Sequence, residues 1–208
     1  MEYKIIVVGI GPGSPDYLPP VAKRMIDGAK VVVGSRRALA AFAPPTARTW
    51  IIDKDIERTI TYIRAELDRC DVVVMVSGDP GFYSLLAVLR QAFGAERLTV
   101  IPGISSVQLA FARIADIWQD AILTSLHGRQ APAETLRYTP GKKLGILTDA
   151  EHSPAYIASL LTDHGWPATA TVHLCANLSY EDEKIVRLSL AEAKLIASFT
   201  QCVMVVAA

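Results

Sequence analysis

Five consecutive apolar residues, Val72-Val73-Val74-Met75-Val76, stop at Ser77-Gly78-Asp79-Pro80-Gly81-Phe82-Tyr83-Ser84. The run lacks polar alternation and is rich in valine, so it predicts a strand buried on both faces. Strands of that kind sit in parallel sheets with helices on each side, which restricts the fold strongly. Two glycines and a proline then break the strand, with one carboxylate between them. In open α/β sheets the ligand crevice lies beyond the carboxyl ends of the strands. A lone aspartate there, on backbone that a ligand can approach closely, points to a small-molecule site. The same residues also fit a plain strand-to-helix turn, with Asp79 or Ser84 capping the next helix.

The rest of the chain repeats the alternation. Short apolar runs at 3–8, 30–33, 49–52, 72–76 and 98–101 read as strands. Helices are expected at 20–27, 55–69, 85–93 and 106–114. Gly28 suits the end of the first, and Ile56, Ile60, Ile63 and Leu67 share a face of the second. Beyond Ala115 a connector carrying Trp118 leads into strands at 121–126, 143–147, 169–174, 184–189 and 202–207. Helices are expected at 132–138, 154–164 and 190–198. Ser153-Pro154 makes a good helix start, and Ser189 with Glu192 forms a capping-box pattern. The strands at 169–174 and 184–189 can pair antiparallel, so the second half is expected to be a mixed sheet. The expectation is two α/β domains, 1–115 and 116–208, with a ligand cleft between them.

Charge and composition narrow the function. Lys+Arg and Asp+Glu are both 21, so net charge advertises no nucleic-acid partner. Cys70, Cys175 and Cys202 are far apart in sequence and form no CxxC pair, which fits buried thiols in a reducing cytoplasm. No signal peptide and no membrane span are expected.

Other strand ends carry candidate groups. Gly9-Ile10-Gly11-Pro12-Gly13-Ser14-Pro15 invites a dinucleotide-binding reading, but Ser14 stands where the third glycine is required. Pro12 and Pro15 also disfavour a helix starting at the turn, and the pyrophosphate-on-helix geometry is lost. What remains is a glycine-rich loop against which a large flat ligand can lie. Pro102-Gly103-Ile104-Ser105-Ser106 offers two hydroxyls that can cap a helix or bind a polar group. His127-Gly128-Arg129 follows another strand, and Arg129 can fork onto a carboxylate. Asn177 opens a polar stretch whose amide has both donor and acceptor, suited to a base or ribose. Glu181, Asp182 and Glu183 read as a solvated charged face. There is no P-loop, no GxSxG and no HExxH. The four histidines lack metal-ligand spacing. With no nucleophile or acid–base pair declared, the pattern favours a protein that positions a pre-activated donor.

Taken in order, these segments resemble the tetrapyrrole methylase family across essentially the whole chain. Gly9-Ile10-Gly11-Pro12-Gly13 is similar to its GxGPG loop, residues 77–84 to its SGDPxxYS motif, and residues 102–106 to its PGxSS segment. Within the family, Trp118-Gln119-Asp120-Ala121 and Ser125-Leu126-His127-Gly128-Arg129 resemble the CbiE-type branch. That branch methylates C5 of a corrin precursor, cobalt-precorrin-7 or its metal-free counterpart, in cobalamin biosynthesis. The resemblance implies a kidney-shaped two-domain protein, usually a homodimer. It implies S-adenosylmethionine (SAM) as methyl donor and S-adenosylhomocysteine as product; the histidine spacing leaves no metal expected in the protein. Residue by residue, it places Ile10, Asp79, Phe82, Ser105 and Ser106 against the cofactor from the N-terminal domain. Leu126, Ala176 and Asn177 would approach from the C-terminal one. Gly11, Pro12 and Gly13 would border the macrocycle. Arg36, Arg37 and Arg129, on loops, and His127 are candidates for its acetate and propionate groups. A second, C15-methylating domain is not expected, so a separate CbiT-type partner is. A uroporphyrinogen methylase, a diphthine synthase and a non-catalytic SAM-binding subunit remain alternatives.

Overall fold

Strands as apolar as Val72–Val76 cannot face water on either side, and the fold follows from that. The computed structural model describes residues 2–196, 199 and 201–208. Contacts divide the chain into two units, Met1–Ser105 and Ser106–Ala208.

In the first unit β1 (Ile5–Gly9), β2 (Val31–Gly34), β3 (Arg48–Ile51), β4 (Val72–Val76) and β5 (Leu98–Ile101) form one sheet in the order β3-β2-β4-β1-β5. Every pairing is parallel. Successive residues of each central strand feed opposite faces. Val7, Val33, Val72 and Val74 pack with Ile63 and Leu89, from α3 (Ile56–Glu66) and α4 (Leu86–Phe93). Val8, Val32, Val73 and Met75 pack with Ala22, Ile26 and Ala38, from α1 (Pro20–Asp27) and α2 (Arg36–Phe42). The chain therefore leaves β1 toward one face and the adjacent β4 toward the other. That is a topological switch point, where such sheets open a crevice.

The sequence reading lacks α2. Its signal is faint: Ser35 caps the helix by accepting Ala38 N–H at 3.2 Å, and Ala38 is its one fully buried residue. Small buried residues leave little apolar periodicity to detect.

The second unit opens with α5 (Ser106–Arg113). Its sheet holds β6 (Ile122–Ser125), β7 (Lys143–Leu147), β10 (Cys202–Ala207), β8 (Thr171–Ala176) and β9 (Lys184–Ser189), in that order. Only β6 and β7 run parallel; the other pairings are antiparallel, including β8 with β9. The sheet is mixed, as the sequence predicts. One face is covered by α6 (Ala133–Leu136), α7 (Pro154–Asp163) and α8 (Leu190–Ala193), around Leu144, Ile146, Leu174 and Met204. Trp166 anchors this core by donating from Nε1 to the Leu136 carbonyl at 2.7 Å. Against the other face, Val107 and Phe111 of α5 lie where a Cβ on Gly145 would be 3.0 Å from each. That packing assigns α5 to the second unit, whereas a boundary after Ala115 groups it with the first.

Ser189 and Glu192 form the expected capping box. The helix they start ends at Ala193 rather than running to 198; Ala197 and Ser198 lie outside the described residues. Cys70, Cys175 and Cys202 are buried free thiols. Burial pushes Cys175 and Cys202 up to about 12. Among the described residues no helix is long and apolar enough to cross a membrane, and no cluster of metal-ligating side chains exists.

Candidate functional site

The switch point of the first unit gathers three glycine loops that are remote in sequence. Beyond β1, Gly11 makes a two-bond bridge with Gly78 beyond β4: Gly11 N–H donates to Gly78 O at 3.3 Å, and Gly78 N–H to Gly11 O at 2.8 Å. Both have positive φ, 75° and 69°. The loop after β5 presses on the same point. A Cβ on Gly9 would lie 2.6 Å from Gly103 N and 2.7 Å from Gly78 O. Only glycine permits backbone to pack on backbone this closely.

Asp79 closes the knot. Its Oδ1 accepts Gly81 N–H at 2.7 Å and its Oδ2 accepts Gly103 N–H at 3.1 Å. The aspartate thus ties the β4 loop to itself and to the β5 loop, and does not cap α4. Ser84 secures the start of that helix instead, its hydroxyl donating to Pro80 O and accepting Leu86 N–H. Two hydrogen bonds leave the Asp79 carboxylate further acceptor capacity, since its oxygens offer about four lone-pair sites. Phe82 packs edge-on against Tyr83, with ring centroids 4.8 Å apart. Tyr83 is left-handed, at φ 49°, and exposed. Left-handed backbone in a bulky residue costs energy and tends to occur at functional sites.

Ile10 is buried beside this knot, with Gly11 buried and Pro12 and Gly13 half-buried. Ser105 is buried and closes the first unit, while Ser106 is the first residue of α5. Arg36 and Arg37 are exposed at the same strand end, after β2. They stand in the first turn of α2, not on a loop. Cations there oppose the helix dipole, so helix stability does not explain their placement.

The second unit has its own cluster, at the carboxyl ends of β6 and β7. Leu126 is buried, and its N–H donates to Leu147 O at 2.9 Å. His127 is exposed, with its ring Nδ1 3.2 Å from Thr148 O. Gly128, at φ 63°, donates its N–H to Asp149 Oδ2 at 2.7 Å. Asp149 Oδ1 accepts His152 N–H at 2.5 Å and lies 3.2 Å from His152 Nδ1. Arg129 follows, exposed.

Asp149 is not legible as a site residue in the sequence. Nothing in Thr148-Asp149-Ala150-Glu151-His152 marks it, because one of its partners is a backbone group of another loop. Its bonds, from His152 N–H and then Gly128 N–H, hold its carboxyl well below the usual carboxylate range. A depressed folded-state pKa adds stability above the unfolded value and loses it as pH falls through the folded one. The wild type is therefore expected to be more stable than Asp149→Asn at neutral pH. The gap should close as pH drops below about 4. Urea titrations across that range check this; a gap independent of pH would count against it.

At the end of β8, Ala176 is buried and Asn177 is left-handed, at φ 49°. Asn177 Nδ2 donates to Asp182 Oδ2 at 2.6 Å, so part of its amide serves the β8–β9 loop. Glu183 is not simply part of a solvated face. It pairs with Arg113 at 2.5 Å and accepts Ser179 N–H at 2.6 Å. The Arg113 bond, foremost, holds its carboxyl low.

Comparison with known proteins gives the family and the fold. The profile of the Tetrapyrrole (Corrin/Porphyrin) Methylases matches residues 4–194. The cobalt-precorrin-7 C(5)-methyltransferase of Salmonella typhimurium is 35% identical over 181 residues, covering 87% of this chain and 88% of that protein. The crystal structure of the precorrin-6Y methylase (cbiE) from Archaeoglobus fulgidus superposes with a TM-score of 0.70 at 28% identity, covering 99% of this chain and 97% of that one. The uroporphyrin-III C-methyltransferase of Thermus thermophilus, complexed with S-adenyl homocysteine, shares the fold. Its TM-score is 0.77 at 22% identity, with 98% of this chain and 91% of that one covered. With the profile spanning nearly the whole chain, and the glycine knot built from the segments that carry the likeness, the protein belongs to the tetrapyrrole methylase family.

Proposed function

We propose that this protein is a SAM-dependent methyltransferase acting on C5 of a corrin-ring precursor, cobalt-precorrin-7 or its metal-free counterpart, in cobalamin biosynthesis. The observation that carries the proposal is the convergence of the Gly9, Gly78 and Gly103 loops, locked by Asp79, at the switch point of a parallel sheet. Kinship with C(5)-methyltransferases supplies the reaction.

The residues present suit this cofactor. The candidate set mixes apolar buried residues, Ile10, Leu126 and Ala176, with polar ones, Asp79, Ser105 and Asn177, a composition that small-molecule sites show. An Asp79 carboxylate with spare acceptor capacity suits a cationic sulfonium. The residues assigned to SAM in this proposal are Ile10, Asp79, Phe82, Ser105, Ser106, Leu126, Ala176 and Asn177. When bound, SAM supplies an electrophilic methyl group whose bonding pair stays on sulfur. The protein's own part is alignment. The Gly11-Pro12-Gly13 loop borders the flat macrocycle, and Arg36, Arg37 and Arg129 are the cations offered to its carboxylates. Arg129→Ala is expected to raise the KM for the macrocycle about tenfold with little change in kcat, since it removes ground-state binding. An unaltered KM in steady-state assays would remove Arg129 from the substrate set.

A homodimer and a separate C15-methylating partner complete the proposal. Sedimentation would test the first. The function itself is tested by incubating protein and SAM with cobalt-loaded and metal-free precursor. A mass gain of one methyl, placed at C5 by carbon-13 NMR, is the expected result. Gain only when a C15-methylating protein is added would favour a binding subunit instead.

A further inference from the structure

Methylating a ring carbon that bears hydrogen leaves a proton to remove. The new carbon–carbon bond uses ring π electrons, and the carbon then holds both methyl and hydrogen. Conjugation returns when that C–H bond breaks, its electron pair rejoins the ring, and the proton passes to a base. We propose that Nε2 of His127 takes this proton, and that Asp149 positions the loop presenting it. The proposal rests on reading the chain as a methyltransferase of a tetrapyrrole carbon.

The argument is one of hydrogen-bond roles. His127 Nδ1 faces the Thr148 carbonyl at 3.2 Å. A carbonyl only accepts, so Nδ1 carries the hydrogen, and the neutral ring keeps its lone pair on Nε2. The carbonyl is held in place. Thr148 is buried, its Oγ1 donating to Cys202 O at 2.7 Å and its N–H to the same oxygen at 3.3 Å. One residue on, Asp149 secures the His127 loop by binding Gly128 N–H at 2.7 Å. The main chain of His127 is secured as well, its N–H donating to Ser125 Oγ at 3.2 Å. A side chain on an exposed loop is thereby given a defined tautomer, as a base positioned by its surroundings requires.

The titratable and charged groups of the two loops are Arg129 beside His127 in sequence, and Asp149, Glu151 and His152 after β7, with Asp149 binding the Gly128 N–H next to His127. His152 has a similar arrangement, with Nδ1 toward Asp149 and its ring edge-on to Tyr156 at 5.4 Å. It is half-buried, whereas His127 is exposed. His127 is therefore assigned the proton, and His152 completes the Asp149 turn.

The test uses His127→Asn and Asp149→Asn. The asparagine amide at 127 can still donate to Thr148, but nothing replaces Nε2. For His127→Asn, kcat is expected to fall at least about 100-fold while KM for the precursor changes little, and the acid limb of the kcat–pH profile should vanish. Asp149→Asn should lower kcat about tenfold and keep that limb. Without any turnover, nitrogen-15 NMR of histidine-labelled protein should show the Nδ1–H tautomer for the signal that His127→Asn removes. A neutral Nε2–H tautomer overturns the proposal, as does a His127→Asn variant with wild-type kcat and pH profile, or one altered in KM alone. Absence of methylated product from the wild type with either precursor would overturn the methyltransferase reading instead, with the tautomer still deciding the geometry.

Discussion

Gly103→Ala is expected to destabilise the protein by about 3 kcal/mol or more and to lower its melting temperature by roughly 10 °C. The new Cβ would lie 2.8 Å from the Gly9 carbonyl carbon and closer still to Gly78 O. Both neighbours are backbone at the ends of paired strands, β1 and β4, so neither moves without disturbing the sheet. Separating them would also stretch the bond from Gly103 N–H to Asp79 Oδ2. Gly141→Ala separates the causes. Gly141 has φ 76° but open space around a Cβ, so its replacement bears only backbone strain, about 1 kcal/mol. Calorimetric melting of both variants is the check. Equal, small shifts would mean that the three loops do not meet as tightly as described, and the proposed cofactor platform would lose its basis.

Asp79→Ala should have the next largest effect. It removes the acceptor for Gly81 N–H and for Gly103 N–H, two charge-assisted bonds. Discounted for the exposure of Gly81, the expected loss is about 2 kcal/mol. SAM affinity should fall at least about tenfold, because the carboxylate both shapes the loop and attracts the sulfonium. Asp79→Asn divides these roles, keeping one acceptor oxygen and losing the charge. Titration calorimetry with SAM and urea denaturation measure the two effects separately. A folded Asp79→Ala variant with unchanged SAM affinity would leave Asp79 a structural residue alone.

Strands and long helices are readable in the sequence because their signals are local. The unbroken valines of β4 and the apolar spacing of α3 each lie within one segment. The loop motifs are readable for a related reason: glycine and proline mark strand ends wherever they fall. Reading fails where a residue's role lies in a distant partner. Asp149 looks like any loop aspartate until Gly128 is brought to it. Glu183 sits in an acidic run yet is held by Arg113. Helix α2, short and rich in alanine, has too little apolar surface to declare a period.

The classes of element, their alternation and the chemistry available at their ends are all written locally, because hydrophobic periodicity and turn composition are properties of neighbours along the chain. That β1 lies between β4 and β5, bringing Gly9, Gly78 and Gly103 to one point, emerges only on folding. So does the commitment of Asp79, which accepts its first hydrogen bonds from the protein's own loops rather than from a ligand or a helix start. Close packing sets both outcomes: which backbones may touch, and which carboxylate must satisfy them, depends on strands paired across tens of residues of sequence.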